Sequence, residues 1–219
     1  MNKFEAVIFD LDGVITDTAE YHYLAWKQLG EELGIPFDRD FNETLKGVSR
    51  MASLERILEL GNRQNDFTDC EKEALAAKKN EHYVTLIQDV SSEDILPGIE
   101  QLLKDLRMSD YKIAMASASK NAFAVTHSLG LNDYFDHIVD AAKVVHSKPD
   151  PEVFLKAAKA VGVMPEQCIG IEDAAAGVTA INDAGMYAIA IGTDAGLDHA
   201  KLTLPSTREL TIDVIHEIK

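Results

Sequence analysis

Short apolar runs alternate with helical patterns along most of the chain, and this alternation limits the possible fold more than any other feature. The runs are rich in Ile, Val and Ala, and each ends at a polar or glycine residue: EAVIFD (5–10), YKIAMAS (111–117), HIVDA (137–141), CIGIED (168–173) and YAIAIG (187–192). Segments such as PEVFLKAAKAVG, with apolar residues three and four positions apart, separate most of them. Strands that are apolar on both faces and alternate with helices are typical of a covered parallel sheet. The sequence therefore predicts an α/β fold with a doubly wound parallel sheet.

One long interruption breaks this alternation. Residues 11–110 contain no convincing strand, although a crossover between neighbouring parallel strands needs far less chain. Helical patterns occupy the interval instead, at 18–34, 40–46, 50–61 and 68–89. Pro97 and Gly98 mark the return to the sheet. We therefore predict a discontinuous core of residues 1–15 and 95–219, with a helical cap domain inserted at 16–94.

The charge balance restricts the partners. The chain has 21 Lys and Arg residues against 37 Asp and Glu residues, and its formal net charge is −16. Such a surface repels nucleic-acid phosphates and anionic lipids, so we expect neither as a partner. The chain offers no bilayer-length apolar stretch, and its first residues turn acidic where a signal peptide would stay apolar, so we expect a cytoplasmic protein with Cys70 and Cys168 reduced. Nothing in the sequence marks a self-association surface, so we expect a monomer.

Polar residues stand where the predicted strands end. The set comprises Asp10, Asp12, Ser117, Lys148, Glu172 and Asp173. In a parallel sheet, ligands bind beyond the carboxyl ends of the strands, so we expect these side chains to converge. Four converging carboxylates repel one another unless a cation lies among them, and Mg²⁺ prefers oxygen ligands of this kind. Lys148 and the Ser117 hydroxyl suit a phosphate group.

This ordered set, an Asp-x-Asp pair, a serine, a lysine and a final acidic pair, resembles the haloacid dehalogenase (HAD) superfamily of phosphotransferases. The resemblance implies a HAD-like Rossmannoid core in which Asp10 is the nucleophile and Asp12 the general acid/base. The transferring phosphoryl group would be held by Ser117, Ala118 and Lys148. The cofactor Mg²⁺ would be bound by Asp10, by Asp12 through its carbonyl oxygen, by Glu172 and by Asp173.

The chemistry is consistent with these roles. Attack by a carboxylate divides a difficult phosphoryl transfer into two easier steps, and a second carboxyl group nearby can move the proton. Alone, an Asp-x-Asp pair is more often a strand-end turn. A signalling receiver domain also phosphorylates an aspartate, but such domains are shorter and have no large helical insertion. Haloacid dehalogenases proper have no second acidic residue at the position of Asp12.

The insert and the second strand carry two further candidate anion sites. Thr18, His22 and Trp26 are four residues apart and so share one helix face. Arg50 begins a helix after Gly47 and Ser49, which combines backbone amides, hydroxyls and a guanidinium. The segment SASKN adds Ser119, Lys120 and Asn121 after the second strand. A packed histidine at position 22 and a solvated arginine at position 50 are the open alternatives.

Five segments, FDLDGVITDTAEYH, LKGVSR, SASKN, SKPDP and IEDAAAG, are similar to successive motifs of the β-phosphoglucomutase family. The family interconverts β-D-glucose 1-phosphate and glucose 6-phosphate through β-glucose 1,6-bisphosphate. The resemblance implies that the distal phosphate is held by Arg50, Ser119 and Lys120. It implies further that His22 assists Asp12 in positioning and proton handling, and that Lys79 or the adjacent Lys78 contacts the sugar. It also implies closure of the cap at a hinge that includes Thr18. The implied substrate-binding set is Thr18, His22, Trp26, Gly47, Val48, Ser49, Arg50, Ser53, Lys79, Ser119, Lys120 and Asn121.

Two departures from the family pattern stand out. Met51 and Ala52 replace acidic residues, and Ala174 replaces a frequent serine. The first change is expected to loosen the substrate loop, and the second removes a hydroxyl near the metal. A sugar-phosphate phosphatase with the same Asp10 chemistry, and a silent phosphosugar-binding protein, are the alternative functions. A simple binding protein would need no nucleophile beside an acid/base group.

Overall fold

The structure is a computed structural model that describes residues 3–193 and 195–218. Its strands are β1 (Ala6–Phe9), β2 (Lys112–Met115), β3 (His137–Ile138), β4 (Cys168–Glu172), β5 (Tyr187–Ile191) and β6 (Leu202–Leu204). Its insert helices are α1 (Ala19–Leu33), α2 (Arg39–Glu43), α3 (Arg50–Leu60) and α4 (Asp69–Leu86). The remaining helices are α5 (Ile99–Met108), α6 (Ala122–Ser128), α7 (Glu152–Val161), α8 (Ala175–Asp183) and α9 (Ile212–Glu217).

The strands form one parallel sheet in the order β3-β2-β1-β4-β5-β6. In its register, Phe9 at the end of β1 lies between Met115 of β2 and Ile171 of β4. The chain therefore leaves β1, β2 and β4 at the same edge of the sheet. This architecture confirms the predicted doubly wound α/β fold.

The central strand β1 is buried on both faces, as its uninterrupted apolar sequence predicts. Ala6 and Ile8 belong to a core cluster with Phe154 of α7 and Ile181 of α8. Side chains alternate along a strand, so Phe9 points to the opposite face, where its ring meets Phe135 edge-on at 6.4 Å between centroids. Packing on both faces fixes β1, and with it the position at which Asp10 leaves the sheet.

Two strands differ from the sequence prediction. The predicted strand at 137–141 pairs with β2 only over His137–Ile138, and residues 141–143 form a 3₁₀ turn instead. The strand β6 was not predicted. It has only three residues, is partly exposed at the sheet edge, and pairs with β5 alone. So short a run has too few alternations to show a strand period in the sequence.

The chain divides into two compact units. One, which we call the core unit, contains the described residues up to Asp17 and from Val90 onward, and the other, the insert unit, is Thr18–Asp89. Residues 16–17 and 90–94, which were predicted to lie in the cap, belong to the core unit. The Thr16 hydroxyl donates to the Asp94 carbonyl at 2.8 Å, and the Leu96 amide donates to the Ile15 carbonyl at 2.9 Å. These bonds hold the two connecting segments together within the core unit.

The insert unit is helical and has its own apolar core, built from α1, α3 and α4. Its helices begin and end close to the predicted positions, because cap residues mark the boundaries. Thr68 and Glu71 form a capping box at the start of α4, and Gly34, in the left-handed conformation, ends α1. None of the helices in residues 3–193 and 195–218 combines the length and apolar composition that crossing a membrane requires.

Candidate active site

A buried lysine joins two of the predicted carboxylates. The Lys148 Nζ lies 2.7 Å from Asp10 Oδ1 and 2.8 Å from Glu172 Oε1, and the Lys148 and Glu172 side chains have no exposed surface. Asp10 follows β1 and Glu172 ends β4, the neighbouring strand. The sheet register thus brings together groups that are 138 and 24 residues away from Lys148 in the chain.

The electrostatics keep this lysine charged. Burial alone would lower the pKa of the Lys148 ammonium, but the charges of Asp10 and Glu172 outweigh that effect and raise the pKa above its ordinary value. Burial raises the pKa of the Glu172 carboxyl and the charge of Asp10 raises it further, while Lys148 opposes both. A protonated Lys148 beside Asp10 is a fixed positive charge that can attract an anion to this edge of the sheet.

Glu172 also orders the loop after β4. Its second oxygen, Oε2, accepts hydrogen bonds from the amide of Asp173 at 2.9 Å and from that of Ala174 at 3.4 Å. Gly177 of α8 approaches the same carboxylate so closely that a Cβ atom there would overlap Glu172 Oε1. A Cβ atom on Gly13, which has φ +74°, would likewise overlap the Asp173 carboxyl group. Both glycines are therefore required by close approach to acidic side chains.

Gly177→Ala is expected to lower kcat at least about tenfold, because the new methyl group must displace Glu172 and with it Lys148. Helix propensity alone would make this substitution stabilising by about 1 kcal/mol. The enzymatic rate measures the displacement of Glu172 and Lys148, and the denaturant midpoint measures the change in stability. Ala175→Ser, at an exposed position of the same helix, is the matched control. A Gly177→Ala protein with the parent rate would contradict the assigned close approach.

Three carboxylates offer a metal site. One oxygen each from Asp10, Glu172 and Asp173 lies within 4.8 Å of the other two. An all-oxygen set at the edge of the sheet is the donor chemistry that a hard divalent cation requires, so these residues fit a metal ion. Asp12 is half-buried in the tight loop after β1. Two backbone hydrogen bonds of 2.8 Å close this loop: the Ile15 amide donates to the Leu11 carbonyl, and the Gly13 amide donates to the Thr16 carbonyl.

The loop after β2 carries the predicted serine. Ser117 is buried, and its Oγ accepts a hydrogen bond from the Ser119 amide at 3.0 Å. The Ser119 Oγ in turn accepts from the Asn121 amide at 3.2 Å. Lys120 is exposed between them, and Ala118 is half-buried. The structure therefore places all five residues of the SASKN segment in one ordered turn of the core unit.

Within the insert unit, Lys79 is buried beside His22. Its Nζ lies 2.8 Å from His22 Nδ1, 4.7 Å from the Trp26 ring centroid and 4.9 Å from that of Tyr83. An ammonium group has no acceptor, so Lys79 donates to Nδ1 and the proton of neutral His22 is on Nε2. Burial and the charges of Lys79 and Arg50 hold the pKa of His22 well below its ordinary value. The His22 ring stacks on Tyr83 at 4.1 Å.

The neighbouring lysine has a different environment. Lys78 Nζ lies 2.5 Å from Glu32 Oε2 in a pair that is more than one-third exposed on both sides. A solvated pair of this kind is an ordinary surface contact. Of the two candidate lysines, Lys79 is the one that lies beside His22 and Trp26. Thr18, which lies one helical turn before His22, is buried.

The start of α3 contains Arg50, the insert residue that the sequence predicts to bind the distal phosphate. The Arg50 guanidinium donates to Asn80 Oδ1 at 2.7 Å, which ties α3 to α4. Ser49 caps α3 by accepting from the Ala52 amide, Gly47 has φ +70°, and Ser53 is buried. Val48 lies half-buried between Gly47 and Ser49. The sequence analysis did not single out Asn80 or Tyr83, because an asparagine or tyrosine on a helix has no motif of its own.

Comparisons with known proteins agree with this geometry. The family model described as haloacid dehalogenase-like hydrolase matches residues 4–185. The β-phosphoglucomutase of Bacillus subtilis is 48% identical over 97% of this chain and 94% of that protein. A crystal structure of β-phosphoglucomutase from Clostridium difficile superposes with a TM-score of 0.96 at 52% identity, over 98% of this chain and 96% of the other. The chain belongs to the β-phosphoglucomutases of the haloacid dehalogenase-like hydrolase family.

More distant relatives in the same family are phosphatases. The fructose-1-phosphate phosphatase of Escherichia coli is 33% identical over 85% of this chain and 96% of that protein. The family assignment confirms the resemblance that the motifs suggested. The two departures from the β-phosphoglucomutase pattern lie at Met51, which is more than one-third exposed on α3, and at Ala174, which precedes α8 without a side-chain cap.

Proposed function

We propose that this chain interconverts β-D-glucose 1-phosphate and glucose 6-phosphate through an aspartyl phosphate and β-glucose 1,6-bisphosphate. The observation that carries the proposal is the buried Lys148 that bridges Asp10 and Glu172 at 2.7 and 2.8 Å. A nucleophilic carboxylate needs a fixed cation beside it to receive a second anion. The identity with β-phosphoglucomutases over nearly the whole chain supports the choice of sugar phosphates as substrates.

In the first half-reaction, an Asp10 carboxylate oxygen attacks phosphorus in β-glucose 1,6-bisphosphate. The phosphorus–oxygen bond to the sugar breaks, and Asp12 gives its proton to the departing sugar oxygen. In the second half-reaction, Asp12 takes the proton from a hydroxyl of the other sugar monophosphate. That oxygen attacks the aspartyl phosphate, and the Asp10 carboxylate is regenerated. Lys148 and Ser117 hold the transferring phosphoryl group in both directions.

The metal is proposed to be Mg²⁺, held by Asp10, the Asp12 carbonyl and Asp173, with Glu172 beside them. Mg²⁺ would offset the negative charges that meet when a phosphate approaches a carboxylate. Support for it comes from the three-carboxylate cluster. Glu172 already accepts hydrogen bonds at both oxygens, from Lys148 and from the Asp173 amide, so its larger contribution is to position those two groups.

The insert residues are proposed to bind the sugar phosphate. His22, neutral and with its proton on Nε2, is a hydrogen-bond donor at neutral pH rather than an acid, and Lys79 fixes that tautomer. Arg50 in the insert unit offers positive charge for the phosphate that is not being transferred. In the core unit, Ser119, Lys120 and Asn121 are separately proposed to offer positive charge and hydrogen-bond donors to a phosphate. We further propose a cytoplasmic monomer that acts on small sugar phosphates. The net charge of −16 supports the proposal that nucleic acid is not a partner.

A sugar-phosphate phosphatase is the second candidate, because relatives such as the fructose-1-phosphate phosphatase of Escherichia coli have the same family fold. Phosphorus NMR separates the alternatives when the protein receives β-glucose 1-phosphate, Mg²⁺ and a catalytic amount of glucose 1,6-bisphosphate. We expect glucose 6-phosphate. Inorganic phosphate as the main product would establish the phosphatase, and unchanged substrate would leave only a binding role.

Arg50→Ala is expected to lower the formation of glucose 6-phosphate by about 100-fold or more, because a remote phosphate contact contributes to the transition state of the sugar reaction. Consumption of acetyl phosphate, which has no second phosphate, should change little. Arg56→Ala is the matched control, since Arg56 lies on the same helix and donates to the Thr44 carbonyl. Equal losses with both donors would show that Arg50 does not bind the distal phosphate.

A further inference from the structure

The segment that leads to Lys148 is an exposed loop. Residues 144–147 lie between a 3₁₀ turn that ends at Lys143 and helix α7. Val145 is 79% exposed, and His146 is exposed as well. An exposed loop with few packed side chains is ordinarily among the least rigid parts of a protein. Lys148, one residue beyond this segment, is nevertheless required at a fixed position between two carboxylates.

Glu152, the first residue of α7, holds this loop. Its carboxylate accepts hydrogen bonds from the Val145 amide at 3.0 and 3.1 Å and from the His146 amide at 2.8 Å. Lys156, one turn later, lies 2.8 Å from Glu152 Oε1 and also donates to the Lys143 carbonyl. The hydrogen bonds from Lys156 and from the two amides lower the pKa of Glu152 to about 2. The carboxylate is therefore ionised throughout the neutral range.

The rest of the connection is also tied to α7. The Asp150 amide donates to the Ser147 carbonyl at 3.1 Å, and the Glu152 amide donates to Asp150 Oδ1 at 2.9 Å. Hydrogen bonds to Glu152 or its neighbours therefore fix the backbone on both sides of Lys148. Helix α7 itself is anchored in the core by Phe154, over whose ring the Lys148 ammonium lies at 5.0 Å.

We propose that Glu152 is a positioning residue for phosphoryl transfer, which fixes the loop amides at 145 and 146 and so sets the position of the Lys148 ammonium beside Asp10. This inference rests on the proposed function, because it assigns Lys148 to the transferring phosphoryl group. Glu152 itself does not contact the reacting atoms. Its effect should therefore be on the rate of transfer with every phosphate donor, and much less on the binding of the sugar.

The test compares Glu152→Ala, Glu152→Gln and the parent protein, all with Mg²⁺. We expect Glu152→Ala to lower kcat about 10- to 100-fold with β-glucose 1-phosphate and also with acetyl phosphate, while KM for the sugar phosphate changes less than about threefold. Glu152→Gln keeps one acceptor oxygen and should recover part of the loss. Hydrogen exchange at residues 144–148 should be faster in Glu152→Ala than in the parent, because the two amides lose their acceptor.

Glu100→Ala is the matched control. Glu100 lies in the first turn of α5 and pairs with Lys104 at 2.6 Å, as Glu152 pairs with Lys156, but it caps no loop of the site. We expect Glu100→Ala to keep the parent rate. The inference would be overturned if Glu152→Ala left the rates unchanged or altered only KM. It would also be overturned if kcat fell with the sugar phosphate but not with acetyl phosphate.

The two proposals fail in different ways. If the parent protein consumes acetyl phosphate but forms no glucose 6-phosphate, the mutase function fails, and Glu152 is still tested by acetyl phosphate turnover. If the parent consumes neither substrate, the role of Lys148 fails and the inference fails with it. Faster exchange in the loop together with an unchanged rate would show that Glu152 stabilises the loop without positioning Lys148.

Discussion

Asp10→Asn is expected to abolish the conversion of β-glucose 1-phosphate, with a loss of roughly 10⁴- to 10⁶-fold, the range typical for loss of a catalytic nucleophile. The amide nitrogen of asparagine is not a nucleophile at neutral pH, and no aspartyl phosphate can form. The fold should survive, because the asparagine oxygen can still accept the hydrogen bond that Lys148 donates to Asp10 at 2.7 Å. Steady-state rates and the thermal midpoint measure the two expectations.

A surface substitution of the same kind provides the control. Asp198 has a side chain that is 88% exposed, and Asp198→Asn should leave the rate unchanged. An Asp10→Asn protein that retains more than about one-tenth of the parent rate would be incompatible with a carboxylate nucleophile at this position.

Lys148→Met is expected to have the second largest effect on activity, and to lower both kcat and the free energy of unfolding. Removing the cation that we propose to hold the transferring phosphoryl group should lower kcat by about 10²- to 10³-fold. Without metal, the substitution also leaves Asp10 and Glu172 buried with no positive partner. Breaking a buried pair in this way typically costs about 3–5 kcal/mol of unfolding free energy.

Denaturant unfolding in the presence and absence of Mg²⁺ measures the second effect. Added Mg²⁺ should restore part of the lost stability in Lys148→Met, because a cation among the carboxylates reduces their repulsion. Lys104→Met is the control, since Lys104 pairs with Glu100 on an exposed helix face and should change neither rate nor stability measurably. If Lys148→Met were as stable and as active as the parent, Lys148 would have neither role.

The proximity of the polar residues at the strand ends could be predicted because it follows from sheet topology. Residues at or just beyond the carboxyl ends of buried parallel strands share one edge, so Asp10, Ser117 and Glu172 had to lie near one another once the strands were recognised. Apolar runs buried on both faces are the strongest pattern that such a fold leaves in its sequence. The insert helices were predictable for a related reason, because their caps and periodicity are local.

The supporting residues could not be predicted in this way. Glu152 appears in the sequence as an ordinary acidic residue at a helix start. Only the loop geometry shows that its carboxylate accepts hydrogen bonds from the amides of residues 145 and 146. Gly177 looks like an ordinary helix glycine in the sequence until the Glu172 carboxylate is found against it. In both cases the partner is set by tertiary packing, and local propensity carries no information about it.

The most direct test of the account is to locate the covalent phosphoryl group. The protein is incubated with β-glucose 1,6-bisphosphate and Mg²⁺, quenched rapidly and reduced with borohydride, which converts an acyl phosphate to an alcohol, and its peptides are then analysed by mass spectrometry. We expect reduction of Asp10 and of no other carboxyl side chain. Modification at Asp12 instead, phosphate on a serine or histidine, or the absence of any phosphoryl protein during turnover would contradict it.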